Sequence, residues 1–552
     1  MTDAAADAPI PKPDAGDRAK PQANEPLLAA DGTPLKRSLM RSLRRQKLRA
    51  FLLVAPLLVF VLVTFIAPIL DMLFRSVENE IVQETVPRVV AELEEWSPAE
   101  EELPSDSVFE AMVYDLVEAE AYKIHTRLGT RLNYETTGIS SLFRRTGRGV
   151  DDFGEIYLDQ FEDLNENWDE GAPWAELVAA EGWAHPAPFE ASPAFAEVMP
   201  RTASAYEGFA RTHQQVEEES PVEEEPWGPV HYALYQDLIA IESGTLAQYD
   251  GPRAEMLREA RAAVEGFETQ GIRDMFVAED EDWLDPEVWA TIKTFSPAYT
   301  PGYFLTAVDL KLSPEGNVVA QDEDQRIYML LFQRTLFMSL VIMGSCVLLG
   351  YPIAYLLATL PARQANLLLI LVLLPFWTSL LVRTSAWKVL LQQQGVINDI
   401  LVWIGLVDDA NRLIMINNQF GTIVAMTHIL LPFMILPLYS VMKTIPPSYV
   451  RAAKSLGATP STAFWRVYFP QSVPGIGAGC ILVFILAIGY YITPELVGGT
   501  TGTFISNRIA FHISSSLNWG LAAALGSILL VVVLVLYWVY DRIVGIDNVS
   551  LG

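Results

Sequence analysis

Five carboxylates, Glu155, Asp159, Glu162, Asp163 and Glu166, fall within one short stretch, and closely spaced carboxylates can act as a general acid–base pair. No histidine, cysteine or serine accompanies them in a nucleophilic setting, so the run reads as a solvated charged face. The six histidines, His125, His185, His213, His231, His428 and His512, are scattered without ligand spacing, and Cys346 and Cys480 both lie inside apolar runs. Neither a metal centre, a disulfide nor a cofactor is expected. The nearest approach to a phosphate-cradling loop is Gly475-Ile476-Gly477-Ala478-Gly479, but it follows no strand and opens an apolar run. Close helix packing through small residues accounts for it better.

The stretch with the most informative spacing does no chemistry of its own. It is Pro446-Pro447-Ser448-Tyr449-Val450-Arg451-Ala452-Ala453-Lys454-Ser455-Leu456-Gly457-Ala458-Thr459-Pro460. Two short helices joined at Gly457 are expected, with Tyr449, Ala452, Ala453 and Leu456 on one face. Small side chains there let another protein approach closely, and a glycine permits a sharp turn of the backbone. The pattern is that of a docking element.

The elements that must hold this segment are set by two opposed compositions. Residues 76–325 hold 54 of the chain's 67 acidic residues and 15 of its 38 basic ones, a net charge of −39, which leaves +10 for the rest. A block of about 250 residues can bury its own core. Outside it, long apolar runs alternate with short basic links. Residues 1–34, rich in Ala, Pro and Asp without an apolar period, read as a disordered cytoplasmic tail. The segment 35–75 carries Lys36, Arg37, Arg41, Arg44, Arg45, Lys47 and Arg49 and then the apolar run Phe51–Leu70, long enough to cross a bilayer. No small-residue cleavage site follows, so an anchor is expected rather than a signal peptide.

Five more spans are expected at about 336–360, 367–387, 421–442, 473–494 and 517–540. Six crossings put both termini on one side. The links 361–366 and 443–472 carry Arg363, Lys443, Arg451, Lys454 and Arg466 and no carboxylate, which places them in the cytoplasm and the acidic block 76–330 outside. Within that block Ser107 and Glu110 have capping-box spacing ahead of Val108, Phe109, Met112, Val113, Leu116 and Val117. Met256, Ala260, Ala263 and Phe267 form a second stripe, Trp168, Trp174, Trp183, Trp227, Trp283 and Trp289 are core candidates, and Glu217–Glu225 reads as a solvated linker between two helical parts. The expected fold class is an all-α membrane protein: six transmembrane helices, with a mostly helical soluble insert between the first and second and residues 331–545 forming helices 2–6.

The docking segment resembles the coupling motif of importer-type ABC permeases, in which Glu-Ala-Ala, three residues, Gly, nine residues and Ile-x-Leu-Pro recur. Here the chain reads Arg451-Ala452-Ala453, Gly457 and Val467-Tyr468-Phe469-Pro470 at the same spacing. Arg451 replaces the usual acid and Phe469 the leucine. Two further stretches, Pro375 to Trp387 and Phe484 to Gly499, are similar to the third- and fifth-span signatures of spermidine/putrescine-type permeases, with Gly489-Tyr490-Tyr491 where Gly-Asp-Phe is expected.

The resemblance implies a type I importer permease that performs no catalysis. Its implied partners are an ABC ATPase dimer, a second permease subunit that is usually a different chain, a periplasmic solute-binding protein and the lipid membrane. No nucleic-acid partner is expected. Tyr449, Arg451, Ala452, Ala453, Gly457 and Pro470 would couple to the ATPase. No Gly-x-x-x-x-Gly-Lys-Ser/Thr loop occurs, so ATP would be hydrolysed by the partner. The solute would be a polyamine or similar organic cation, and iron, thiosulfate or phosphonate would be the next classes. Trp377, Trp387, Tyr490 and Tyr491 could offer aromatic faces to such a cation. Glu495, Arg383 and Asp71 are ionisable residues near the outer ends of their spans, where they either face a polar path or reach interfacial water. The acidic insert could steer cations or a basic face of the binding protein. Two rivals remain on sequence grounds. A receptor would use the insert to bind ligand, but only a dozen residues follow Tyr540, and an effector domain is expected of it. A tethered enzyme would need more than the carboxylate run.

Overall fold

The computed structural model describes residues 35–313 and 316–544. The tail expected at 1–34 lies outside them. The chain divides into a first unit, residues 1–71, and a second, residues 72–552. The described part of the first unit is a helix from Leu35 that widens into a π-turn at Leu62–Ile66 and continues as Ala67–Arg75. Its apolar part, Gln46–Arg75, is long enough to cross a membrane and exceeds the expected run at both ends.

The second unit begins with the acidic block. Among its described residues, helices between Ile81 and Thr306 surround one core, and the strands pair as a hairpin, Leu310–Leu312 antiparallel to Val318–Ala320. Trp168, Trp174, Trp283 and Trp289 are fully buried at its centre. Burial of an indole leaves an N–H to satisfy. The Trp283 ring donates to Thr146 Oγ1 at 2.7 Å, Trp289 to the Trp283 carbonyl at 2.9 Å and Trp174 to the Trp168 carbonyl at 2.7 Å. Trp183 and Trp227 are only partly buried.

Local expectations fail in two places here. Helix Asp106–Ala121 starts after Ser105, whose side chain makes no capping hydrogen bond, and the Ser107 hydroxyl, inside the first turn, donates instead to Glu92 Oε2 at 2.9 Å. The run Glu217–Glu225 does not separate two parts. It closes a surface turn whose flanking helices, Pro200–Thr212 and Gly228–Ala240, share the same core, with Pro221 and Pro226 buried. Its charges mark the outer face of a turn, and that face looks like a linker when read alone.

The ends of the block are clamped together. Asn79 donates its N–H to the Ala298 carbonyl at 2.8 Å, Thr300 donates to the Val77 carbonyl at 2.9 Å, and the Asn79 amide reaches the Phe295 carbonyl. Beyond the hairpin, both carboxylate oxygens of Asp309 accept the first free N–H groups of the next long helix, from Tyr328 and Met329, each at 2.9 Å. Tyr303 packs so tightly on Gly520 that an added Cβ would meet its ring at 2.4 Å. The block is therefore held against the helices that follow it.

Those helices are Tyr328–Thr359, Gln419–Thr444, Pro460–Gly489 and Trp519–Val544. With the helix of the first unit, five are long and apolar enough to cross a membrane. The expected third span, 367–387, is not one straight helix. Ala362–Trp377 and Leu380–Leu390 meet at 94°, across a break at Thr378-Ser379. Pro375 lacks the N–H that would continue the helix, and the Ser379 hydroxyl caps the new one by accepting from Val382. Three of the other spans begin earlier than expected, at 328, 419 and 460, because polar or aromatic first turns hide a helix start from an apolar count, and the last begins at 519, two residues later than expected.

The glycines of 475–479 do pack helices. A Cβ on Gly479 would stand 2.5 Å from Met434 Sδ, and one on Gly475 would stand 3.0 Å from Val441 Cβ. On a third helix, a Cβ at Gly350 would stand 3.1 Å from Met434 Cγ. Cys346 and Cys480 are free thiols on these helices.

One buried group in the acidic block makes its stability depend on pH. His231 is fully buried, with Nδ1 3.3 Å from the Trp227 carbonyl and Nε2 3.1 Å from the Trp168 carbonyl. Burial pushes its pKa down to about 4, against the pull of the two carbonyls. The unfolded chain takes up a proton near the ordinary histidine value and the folded one refuses it, so the contribution is complete above that value and is lost as pH falls toward 4. At pH 5 the expected loss is about 2 kcal/mol. Thermal unfolding of wild type and His231→Gln at pH 7.5 and 5 checks this: the variant should lose less stability between the two, and an equal loss would assign the pH dependence elsewhere.

Candidate functional site

The expected docking segment projects beyond its spans. Helix Pro447–Ser455 starts on a proline, which suits a first turn, and ends at Gly457, whose φ of +90° only glycine adopts without strain. Leu456 is 89% exposed and Tyr449 51%, Arg451 and Ala452 are exposed, and Ala453 is half-buried. Two separate short helices do not form. After Thr459, whose hydroxyl accepts from the Thr462 N–H, the chain runs from Pro460 through a π-turn at Phe464–Tyr468 into the next long helix. Pro470 lies at the start of that last stretch, where the widened turn just before it absorbs its missing donor.

The residues expected along a solute path gather at two helix breaks. Trp377 ends the first arm of the bent pair and is 76% exposed, while Arg383 lies on the second arm, Leu380–Leu390. Tyr490 and Tyr491 occupy the break between Phe469–Gly489 and Ile492–Val497, and Glu495 lies exposed on the latter. Broken helices inside a membrane are tolerated where the freed backbone finds protein or lines a water-filled cavity. The two breaks touch: the buried hydroxyls of Thr384 and Thr493 hydrogen-bond at 3.2 Å, which brings the Arg383 helix against the Glu495 helix. Among the described residues Arg383 Nε is buried without a hydrogen-bond partner. Asp71 belongs to the first unit.

Sequence reading missed the groups that hold these breaks. Asn507 donates to Glu495 Oε2 at 2.6 Å and to the Tyr491 carbonyl at 2.9 Å, and Ser506 donates to the Tyr490 carbonyl at 2.8 Å. His428, dismissed as scattered, accepts from the Trp387 indole at 3.1 Å. The available signal was the polar residue inside an apolar helix, which is costly there unless it has a partner.

Residues 336–544 match the family described as binding-protein-dependent transport system inner membrane component. Over 222 residues the chain is 35% identical to the spermidine/putrescine transport system permease protein PotB of Salmonella typhimurium, covering 40% of this chain and 77% of that one. The chain belongs to this family of ABC importer permeases. It is a multi-pass protein of the inner membrane and, as a permease, is not itself an enzyme. It is also 31% identical to the inner membrane ABC transporter permease protein YdcU of Escherichia coli, over 38% of this chain and 70% of that one. A crystal structure of a bacterial alginate ABC transporter, in complex with an alginate pentasaccharide-bound periplasmic protein, aligns over 40% of this chain and 78% of that one, with 21% identity and a TM-score of 0.34. The acidic block precedes the family match, which contains both the protruding segment and the two breaks.

Asn507→Leu should leave the buried Phe504 N–H, which donates to Asn507 Oδ1 at 3.0 Å, without its acceptor, and Glu495 and the Tyr491 carbonyl without their donor. A buried group left unpaired costs about 1–3 kcal/mol. Thermal unfolding of the permease in detergent should show that loss, and an unchanged midpoint would mean that the Asn507 bonds do not hold the break.

Proposed function

We propose that this permease forms the path of a small organic cation of the polyamine class and is driven through the segment 443–472 by a separate ATPase dimer. The observation that carries the reading is the exposed stripe Tyr449, Ala452 and Leu456 ending at the left-handed Gly457, at the spacing of the importer coupling motif. Such a stripe has no reason to be bare in water unless another protein covers it. Arg451, Ala453 and Pro470 complete the coupling surface. The polyamine class rests on the identity to the spermidine/putrescine relatives.

The bent pair counts as one crossing in this reading, which gives six, with both termini and the 443–472 link in the cytoplasm and the acidic block 76–330 outside. The basic links support that orientation. A second permease subunit, of different sequence, would complete the path, and a periplasmic binding protein would deliver the solute to it. Trp377, Tyr490, Tyr491 and Glu495 would meet the cation at the two breaks, with Arg383 beside them. Switching would follow from the breaks: two short helices clasped by Thr384 and Thr493 can shift more readily than unbroken spans.

The test is co-purification of the tagged chain from mild detergent, with ATPase activity assayed for wild type and Gly457→Asp. Wild type should bring down an ATPase that the variant loses, since no neighbouring atom crowds Gly457 and only its backbone angle and the docking face are disturbed. A folded, membrane-inserted wild type that captures no ATPase would refute the reading.

A further inference from the structure

The charge on the coupling surface has the opposite sign from the motif it resembles. Residues 443–472 contain Lys443, Arg451, Lys454 and Arg466 and no carboxylate, in a chain whose net charge is −29. All four bases are exposed, and none makes an ion pair among the described residues. Arg451, at the position where the motif places an acid, reaches only back to the Pro447 carbonyl through Nε at 3.4 Å. Between these bases stand Tyr449, Leu456 and Trp465, the last 59% exposed beside Phe464 and Phe469. The surface is thus an apolar ridge framed by four uncompensated positive charges.

We infer that the ATPase face receiving this segment is acidic, a groove lined by carboxylates around an apolar pocket. This rests on the coupling role proposed above. Like charges brought together at an interface repel, so a basic groove suited to an acid at position 451 would reject this chain. The charge at this position therefore selects the ATPase as well as binding it. The other surface that attracts such a ridge is the anionic inner leaflet. Ala452 and Ala453, between Tyr449 and Leu456, favour protein: small side chains gain little from lipid but admit the close approach of another backbone.

The experiment uses the full chain co-expressed with the ATPase it captures, and compares wild type, Arg451→Lys and the double variant Arg451→Glu/Lys454→Glu. Retention of ATPase is measured from about 50 mM to about 0.5 M salt, a range over which screening of exposed charges becomes nearly complete. Arg451→Lys, which keeps the charge, should lose far less retention than the double variant. The double variant should bind at least about tenfold more weakly at low salt, the gap closing as salt rises. Equal or tighter retention by the double variant overturns the inference, as does unchanged retention with loss of binding to vesicles containing anionic lipid, which would assign the ridge to the membrane. A wild type that captures no ATPase defeats the coupling role itself. A wild type that captures one and is indifferent to charge reversal defeats only the acidic groove.

Discussion

Met434 meets two glycines. Gly350 of one helix and Gly479 of another both face it: a carbon added at Gly479 would collide with its sulfur at 2.5 Å, and one added at Gly350 would press on Cγ at 3.1 Å. In a bilayer no hydrophobic gain accompanies helix association, so proximity must come from close packing of this kind. Gln419–Thr444 thereby packs closely against both Tyr328–Thr359 and Phe469–Gly489, which also meet each other. The exposed link lies between two of these helices, and a helix break follows the end of one of them.

The acidic block depends on the same helices. Its ends pair with each other at Asn79 and Thr300, and its exit carboxylate, Asp309, caps the helix that contributes Gly350. Tyr134 adds a hydrogen bond to the Ser516 carbonyl ahead of the last long helix. A 250-residue excursion with its own aromatic core can be carried on a membrane protein in this way without disturbing the packing of the spans, because its two ends leave and return side by side.

What could be read from the residues follows how local each signal is. The apolar helices were legible because a run of twenty apolar side chains has few other uses. The exposed stripe was legible because Tyr449, Ala452, Leu456 and Gly457 are close in sequence and no distant residue packs over them. The right-angle bend at Thr378-Ser379 was not, since apolar residues continue on both sides of it, although Pro375 marked the place. Nor was the single core of the acidic block, because Glu217–Glu225 gives no sign that the helices on either side meet. The partners of the breaks were also hidden: Asn507 lies 12 residues from Glu495, and His428 lies 41 from Trp387. Such pairings are made by the fold, and spacing along the chain does not encode them.

The central claim is that the ridge ending at Gly457 is covered by an ATPase. A photo-crosslinking amino acid placed at position 456 in intact cells tests it most directly, with position 284 on the acidic block as the comparison. The account predicts an adduct with an ATPase subunit from 456 and none from 284. Adducts from 456 with lipid alone, or with a protein of the outer compartment, would contradict it.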